Sequence, residues 1–110
     1  MRSWSLESAR AILGDVRERT RAAVEEVEAL SDSRDRLPAE AAGREEIDAQ
    51  IHDVVSRWVR AMEALGVEVK GPWLVDFDNG QGYYCWRWPE ERLEHYHGYE
   101  EGFAGRIRIQ

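Results

Sequence analysis

Two histidines near the C-terminus have the spacing of metal ligands on a β-strand. His95 and His97 are separated by one residue, so on a strand both imidazoles project from one face, with Cα atoms about 7 Å apart. Zinc and iron accept imidazole and carboxylate ligands, and His52 or a nearby carboxylate is the candidate third ligand. The alternative is that both histidines are packed, hydrogen-bonded side chains. The predicted helices lack a Glu-x-x-His pair, which argues against a di-iron centre.

Cys85 is the only cysteine of the chain. It excludes an intrachain disulfide and favours a reducing compartment. A nucleophilic cysteine needs an adjacent base and a lowered pKa. Arg87 or Arg106 can help to lower the pKa of the thiol. The register predicted below places Cys85 on the face opposite the histidines, so we expect a buried structural thiol.

A polar set surrounds this cysteine in the predicted strands. Arginine offers a planar bidentate donor, so the set is a candidate site for a small anion or for a carboxylate of a partner. The candidate binding residues are Asp76, Tyr83, Cys85, Arg87, Tyr96 and Arg106. The alternative, which we favour, is a structural ion-pair network that holds the C-terminal tail against the sheet.

The elements that must position these residues begin with an aromatic segment, residues 73–110, whose side chains alternate along the chain. Asn79-Gly80 is a strong hairpin signal, and a second turn is predicted at Glu90-Glu91. The predicted cross-strand pairs are Val75 with Tyr84, Phe77 with Gly82, Trp86 with His95, Cys85 with Tyr96 and Arg87 with Glu94. This register places both histidines on the face that packs against the helices.

Two long helices are predicted over residues 5–31 and 38–65, because apolar residues recur there at steps of three and four. Ser5 is a candidate N-cap, Pro38 suits the first position of the second helix, and Gly66 suits a left-handed C-terminal cap. A short connection makes the helices antiparallel. The predicted fold is therefore α+β: one domain, residues 1–110, in which a long antiparallel two-helix hairpin is followed by a three-stranded or four-stranded antiparallel β-meander.

Charge and hydropathy restrict the classes of partner. The chain has 22 acidic and 15 basic residues, without a basic stripe, which argues against nucleic acid and anionic membranes. It lacks a signal-peptide pattern and an apolar run of about 18 residues, so we expect a cytoplasmic protein. Apolar side chains beside the helix seam can pack either on the β unit or on a second copy of the chain, and we favour self-association as a homodimer. These residues are Ile12, Val24, Val55 and Val59.

Several motifs resemble those of the bacterial domain of unknown function 2203 family. The strand motifs are Leu74-Val75-Asp76-Phe77, Tyr84-Cys85-Trp86-Arg87 and His95-Tyr96-His97-Gly98. They are preceded by Trp4-Ser5-Leu6-Glu7-Ser8-Ala9 and followed by Gly102-Phe103-Ala104-Gly105-Arg106. The resemblance spans nearly the whole chain. It implies no catalytic or ligand residues, because the activity of that family is not established.

The function expected from the sequence is that of a non-enzymatic, self-associating interaction protein without a resident cofactor. No recognisable catalytic constellation is present. The alternative is a small metal-binding protein, with zinc or iron, or a thiol-dependent protein, centred on His95, His97 and Cys85. A small anionic ligand is a further option.

Overall fold

The structure, a computed structural model, describes residues 3–109. Two helices, α1 (Leu6–Asp35) and α2 (Ala42–Ala64), form a hairpin. The strands that follow are β1 (Glu68–Gly71), β2 (Leu74–Asp78), β3 (Tyr83–Arg87), β4 (His95–His97) and β5 (Ile107–Arg108), with a 3-10 turn at Phe103–Gly105. The strands form one antiparallel sheet in chain order. The predicted α+β arrangement, a helical hairpin followed by an antiparallel sheet, is confirmed.

The predicted number of strands is wrong, because the described residues form five strands and not three or four. The first strand, β1, lies between the predicted end of the second helix at residue 65 and the predicted start of the meander at residue 73, in a segment to which no element was assigned. The last strand, β5, is the two-residue segment Ile107–Arg108. A segment of that length has no periodicity of its own and becomes a strand only by pairing with β4.

The first helix begins at a capping box. The Ser5 side chain accepts a hydrogen bond from the Ser8 backbone N–H at 3.0 Å, and the Ser8 hydroxyl oxygen accepts one from the Ser5 backbone N–H at 3.0 Å. The predicted N-cap is therefore confirmed. The second helix begins at Ala42, and Pro38 precedes it in a turn closed by the Ala41 backbone N–H, which donates to the Pro38 carbonyl at 3.0 Å.

The junction between α2 and the sheet has the predicted left-handed glycine. Gly66 has φ of 87°, and the backbone N–H of Val67 donates to the carbonyl of Met62 at 3.1 Å. The indole N–H of Trp4 donates to the Gly66 carbonyl at 3.0 Å, while its ring packs edge-to-face on Phe77 with centroids 5.3 Å apart. The start of the chain, the end of α2 and the sheet are thereby joined at one place.

The hydrophobic core lies between the helical hairpin and one face of the sheet. Val75, Phe77 and Trp86 are fully buried on that face. Within the hairpin the buried indole N–H of Trp58 donates to the Thr20 hydroxyl at 2.8 Å, which satisfies both polar groups. Asp76 and Cys85 alternate with these apolar residues along the strands, so they lie on the outer face of the sheet. No helix in residues 3–109 is long and apolar enough to cross a membrane.

Two glycines differ in what an added methyl group would meet. At Gly82 a Cβ atom would lie 2.2 Å from the Tyr96 hydroxyl oxygen and 2.8 Å from the His97 carbonyl oxygen. We therefore expect Gly82→Ala to lower the free energy of unfolding by about 1–3 kcal/mol, because backbone must shift. Urea denaturation measures this change.

The matched control for this substitution is Gly14→Ala. Gly14 lies inside α1, and no described atom outside the helix backbone and adjacent residues lies within 4 Å of its Cβ position. Removing a helix-interior glycine should raise the free energy of unfolding by about 0.5–1 kcal/mol. Changes of the same sign in the two variants would contradict this account of Gly82.

Candidate functional site

The register of the sheet decides which polar side chains meet. In the first hairpin Phe77 pairs with Tyr84, and not with Gly82 as predicted, because residues 79–82 form a wider loop. The Asn79 side chain holds that loop by accepting hydrogen bonds from the backbone N–H groups of Gln81 and Gly82 at 2.8 and 2.9 Å. This shift of two residues leaves the side chains of β2 and β3 on their predicted faces.

The second hairpin differs from the prediction by one residue. Cys85 pairs with His95 and Tyr83 pairs with His97, whereas Cys85 was predicted to face Tyr96. The predicted two-residue turn is replaced by the irregular segment 88–94, which adds the extra step. A shift of one residue reverses the faces of β4, so the prediction that both histidines face the helices is wrong.

Three buried side chains from β2, β3 and β4 meet on the outer face. Asp76 and Cys85 are each 1% exposed and His97 is 4% exposed. Their ligand atoms all lie within 4.8 Å of one another. His97 Nε2 lies 2.9 Å from Asp76 Oδ2, and His97 Nδ1 lies 2.7 Å from the Gly98 carbonyl oxygen. The cluster therefore combines a carboxylate, a thiol and an imidazole out of contact with solvent.

The hydrogen bonds identify the protonation of His97 and leave one carboxylate oxygen unsatisfied. A carbonyl oxygen only accepts, so Nδ1 carries the hydrogen in the contact with Gly98. Asp76 Oδ1 is buried and receives no well-formed hydrogen bond within residues 3–109. A buried carboxylate oxygen without a well-formed hydrogen bond is costly.

Burial dominates the electrostatics of the cluster. It raises the pKa of Asp76 above the ordinary value, although the hydrogen bonds from the Cys85 thiol and from His97 favour the carboxylate. Burial, together with the adjacent Asp76, raises the pKa of Cys85 to about 12, although Arg106 opposes that shift. Without another cation, the thiol is protonated and is a poor nucleophile. Because both nitrogens of His97 are engaged elsewhere, this histidine is not placed to act as base for Cys85.

Tyr83 covers one side of the cluster and is itself packed against Tyr99. The Tyr83 ring lies 5.4 Å from the His97 ring and 5.1 Å from the Tyr99 ring, between centroids. The Tyr83 hydroxyl donates to Glu68 Oε1 at 3.0 Å, and the Tyr99 hydroxyl donates to Asp78 Oδ1 at 2.7 Å. These bonds hold the Tyr83 ring beside the imidazole and the Tyr99 ring against Tyr83.

The C-terminal tail covers the other side through Arg106. Its guanidinium forms a bidentate ion pair with the Glu90 carboxylate and lies 4.2 Å from the centroid of the Phe103 ring. Arg106 Nη1 also lies 3.9 Å from Cys85 Sγ. The Glu90 carboxylate accepts a further hydrogen bond from the Arg87 backbone N–H at 2.8 Å. Glu90 was not among the predicted site residues, because its partner is distant in sequence and no local pattern marks it.

The six predicted binding residues are only partly brought together. Asp76, Cys85 and Arg106 lie in or beside the cluster, and Tyr83 covers it. Arg87 is exposed, with its guanidinium 5.3 Å from the Phe103 ring centroid. Tyr96 lies on the opposite face, where its ring centroid is 6.0 Å from that of Tyr84.

The three predicted metal ligands are also separated. His97 is in the cluster, whereas His95 directs Nδ1 towards Glu90 Oε2 at 3.7 Å. His52 is exposed on α2 and is not in the cluster.

The predicted pairing of Arg87 with Glu94 is replaced by an ion pair between Glu94 and Arg108 at 2.6 Å.

Comparison with known proteins places the chain in a family. A family model described as "Uncharacterized conserved protein (DUF2203)" matches residues 2–109. The chain belongs to this family. The resemblance stated from the strand motifs is thereby confirmed. No curated protein and no solved structure matches the chain.

The Glu90–Arg106 pair gives a pH-dependent prediction. Burial disfavours the carboxylate of Glu90, but hydrogen bonds from Arg106 and the Arg87 backbone outweigh it and hold the pKa below its ordinary value. The pair therefore stabilises the fold above the unfolded-state pKa, and its contribution is lost as the pH falls through the lower folded-state pKa. We expect Glu90→Gln to lower the free energy of unfolding by about 1–3 kcal/mol at pH 7.

Urea denaturation of Glu90→Gln and of the wild type from pH 7 down to pH 3 measures this effect. The difference should shrink below a pH of about 4. The control is Glu94→Gln, whose partner Arg108 is 71% exposed and whose effect should be about 0–1 kcal/mol. Equal losses in the two variants at pH 7 would disprove a special role for Glu90.

Burial of Cys85 gives a prediction about thiol reactivity. The metal-free native protein at pH 8 should leave this thiol unmodified by a disulfide reagent, because it is 1% exposed and its pKa is raised to about 12. The same protein in denaturant should react completely within the same period. Rapid modification of the native protein would instead support the thiol-dependent alternative.

Proposed function

We propose that this protein binds a transition-metal ion through Asp76, Cys85 and His97. The observation that carries the proposal is the 2.9 Å contact between His97 Nε2 and Asp76 Oδ2. Because Nδ1 donates to the Gly98 carbonyl, a neutral imidazole presents the lone pair of Nε2 to the carboxylate. Two acceptor atoms at that distance require a cation between them, either a proton or a metal ion.

A metal ion satisfies more of the cluster than a proton does. A proton between Nε2 and Oδ2 leaves Asp76 Oδ1 without a well-formed hydrogen bond, with only the weakly donating neutral thiol of Cys85 nearby. Nitrogen and oxygen ligands about 2.0–2.1 Å from a tetrahedral ion lie about 3.3–3.4 Å apart, so binding would lengthen the observed contact by about 0.5 Å. The hydrogen bond from Nδ1 to a backbone carbonyl is typical of the outer contacts that orient a metal-binding histidine.

The donor set favours zinc or ferrous iron over magnesium or calcium. Thiolate and imidazole suit the softer first-row ions, whereas magnesium and calcium prefer oxygen. A bound dication deprotonates a coordinating thiol. One dication, one thiolate and one carboxylate then sum to zero charge, which removes most of the cost of burying the carboxylate. Three protein ligands leave a further position for water or substrate.

This proposal changes the ligand set expected from the sequence. His97 is retained, Asp76 and Cys85 replace His52 and His95, and the thiol becomes a ligand. The raised pKa of Cys85 and the engagement of both His97 nitrogens argue against thiol catalysis. The self-association predicted from the helix flanks stays a prediction.

Cobalt(II) titration of metal-free, untagged protein tests the proposal. We expect one equivalent to produce a thiolate-to-cobalt charge-transfer absorption, and zinc to displace the cobalt. Zinc at 100 times its dissociation constant should raise the free energy of unfolding by about 2.7 kcal/mol. Magnesium should have no comparable effect.

Matched variants separate the cluster from the other histidines. Cys85→Ser and His97→Gln should lose the absorption and the zinc stabilisation, whereas His52→Gln, altered at an exposed position outside the cluster, should keep both. If Cys85→Ser does not fold, the wild-type absorption still decides, because Cys85 is the only thiol. Wild-type protein that gives neither absorption nor zinc stabilisation has a proton at this position, and the proposal is then wrong.

A further inference from the structure

An open cleft lies between α1 and the segment that leads into β4, on residues that the metal cluster does not use. Its volume is about 580 Å³, which is within the range of small-molecule sites. The apolar part of its lining includes Leu13 and Ile109, and the exposed Gly14 of α1 lies beside them in the lining. The charged part includes Arg10, Arg92 and Arg108.

Gly14 has no packing reason to be a glycine. A glycine inside a helix lowers helix stability relative to alanine. No neighbouring element occupies the space that its side chain would fill, since no described atom outside the helix backbone and adjacent residues lies within 4 Å of its Cβ position. What the absent side chain provides is room in the cleft.

The charge of the lining is opposite to that of the whole chain. The chain has a formal net charge of −7, yet the cleft is lined by three arginines and two glutamates, Glu91 and Glu94. Arg10 donates to the Leu93 carbonyl at 3.0 Å, and Arg108 is paired with Glu94 at 2.6 Å.

Arg92 differs from the other two arginines of the cleft. It is exposed and makes no hydrogen bond or ion pair with any residue in the described range 3–109. A free guanidinium is a planar donor that matches carboxylate and phosphate groups. It is therefore available to an incoming anion.

We propose that this cleft binds a small amphipathic anion, with the anionic group at Arg92 and the apolar body over Gly14 and Leu13. The apolar floor accounts for the body of the ligand, and the unpaired guanidinium accounts for its charge. The ligand class is a medium-chain or aromatic carboxylate or phosphate. This site is independent of the metal proposal, because the two share no residue.

The test uses a pair of fluorescent probes that differ in charge, with metal-free full-length protein. We expect 8-anilinonaphthalene-1-sulfonate to bind saturably with one site, and the uncharged N-phenyl-1-naphthylamine to bind at least about tenfold more weakly, as loss of one charge-assisted contact predicts. Octanoate should displace the anionic probe, and 1-octanol at the same concentration should not. Equal binding of both probes would show general apolar adsorption and overturn the proposal.

Variants locate the binding. Arg92→Gln should weaken binding of the anionic probe about five- to tenfold, and Gly14→Leu should weaken it similarly by filling the floor. Arg60→Gln removes the same charge from an exposed arginine of α2 and should leave the affinity unchanged. If Gly14→Leu does not fold, Gly14→Ala gives a smaller loss in the same direction. Equal effects of the two arginine variants, or an unchanged affinity in both Gly14 variants, would refute the site.

Discussion

The arrangement of residues on the outer face of the sheet depends on how the free-energy cost of burying one carboxylate is offset. Asp76 lies in the second of five strands with 1% exposure, and the effective cost of burying an ion is several kcal/mol unless opposite charge and hydrogen bonds replace water. His97 supplies one contact, to Oδ2, and Oδ1 has no well-formed hydrogen bond among the described residues. The strands, Tyr83 and the tail therefore enclose a carboxyl group whose buried oxygens are only partly hydrogen-bonded.

The cover over this carboxylate is held mainly by side chains. Arg106 is 14% exposed in its side chain, is paired with Glu90 and stacks on Phe103. Its position beside Cys85 favours the thiolate, whereas burial and Asp76 favour the thiol. In the absence of another cation Cys85 is therefore protonated. A metal ion at the cluster would reverse that balance, and Arg106 would then act in the same direction as the metal.

The parts of the fold that the sequence predicted are those with a long or chemically specific local signal. The helices have many apolar repeats, and the cap residues Ser5 and Gly66 have side-chain or backbone requirements that few other residues meet. The predicted faces of β2 and β3 are correct because the predicted register of the first hairpin differs from the observed one by two residues, an even number. The segment 88–94 has no comparable signal, so its length, and with it the face of His97, could not be derived from alternation alone. Glu90 was missed for the same reason, since its contact with Arg106 depends on the tertiary fold.

The inner face of the sheet is what makes the outer cluster possible. Val75, Phe77 and Trp86 are fully buried against the helices, so a one-residue slip of β2 or β3 would turn them to the outer face and place Asp76 or Cys85 against the helices. Apolar packing on one face thus sets the positions of Asp76 and Cys85 on the other. His97 is positioned differently, because β4 has only three residues and its face depends on the preceding irregular segment. Two residues of the cluster are therefore positioned by the core and the third by a connection, which explains why the face of the third was the one that sequence patterning predicted wrongly.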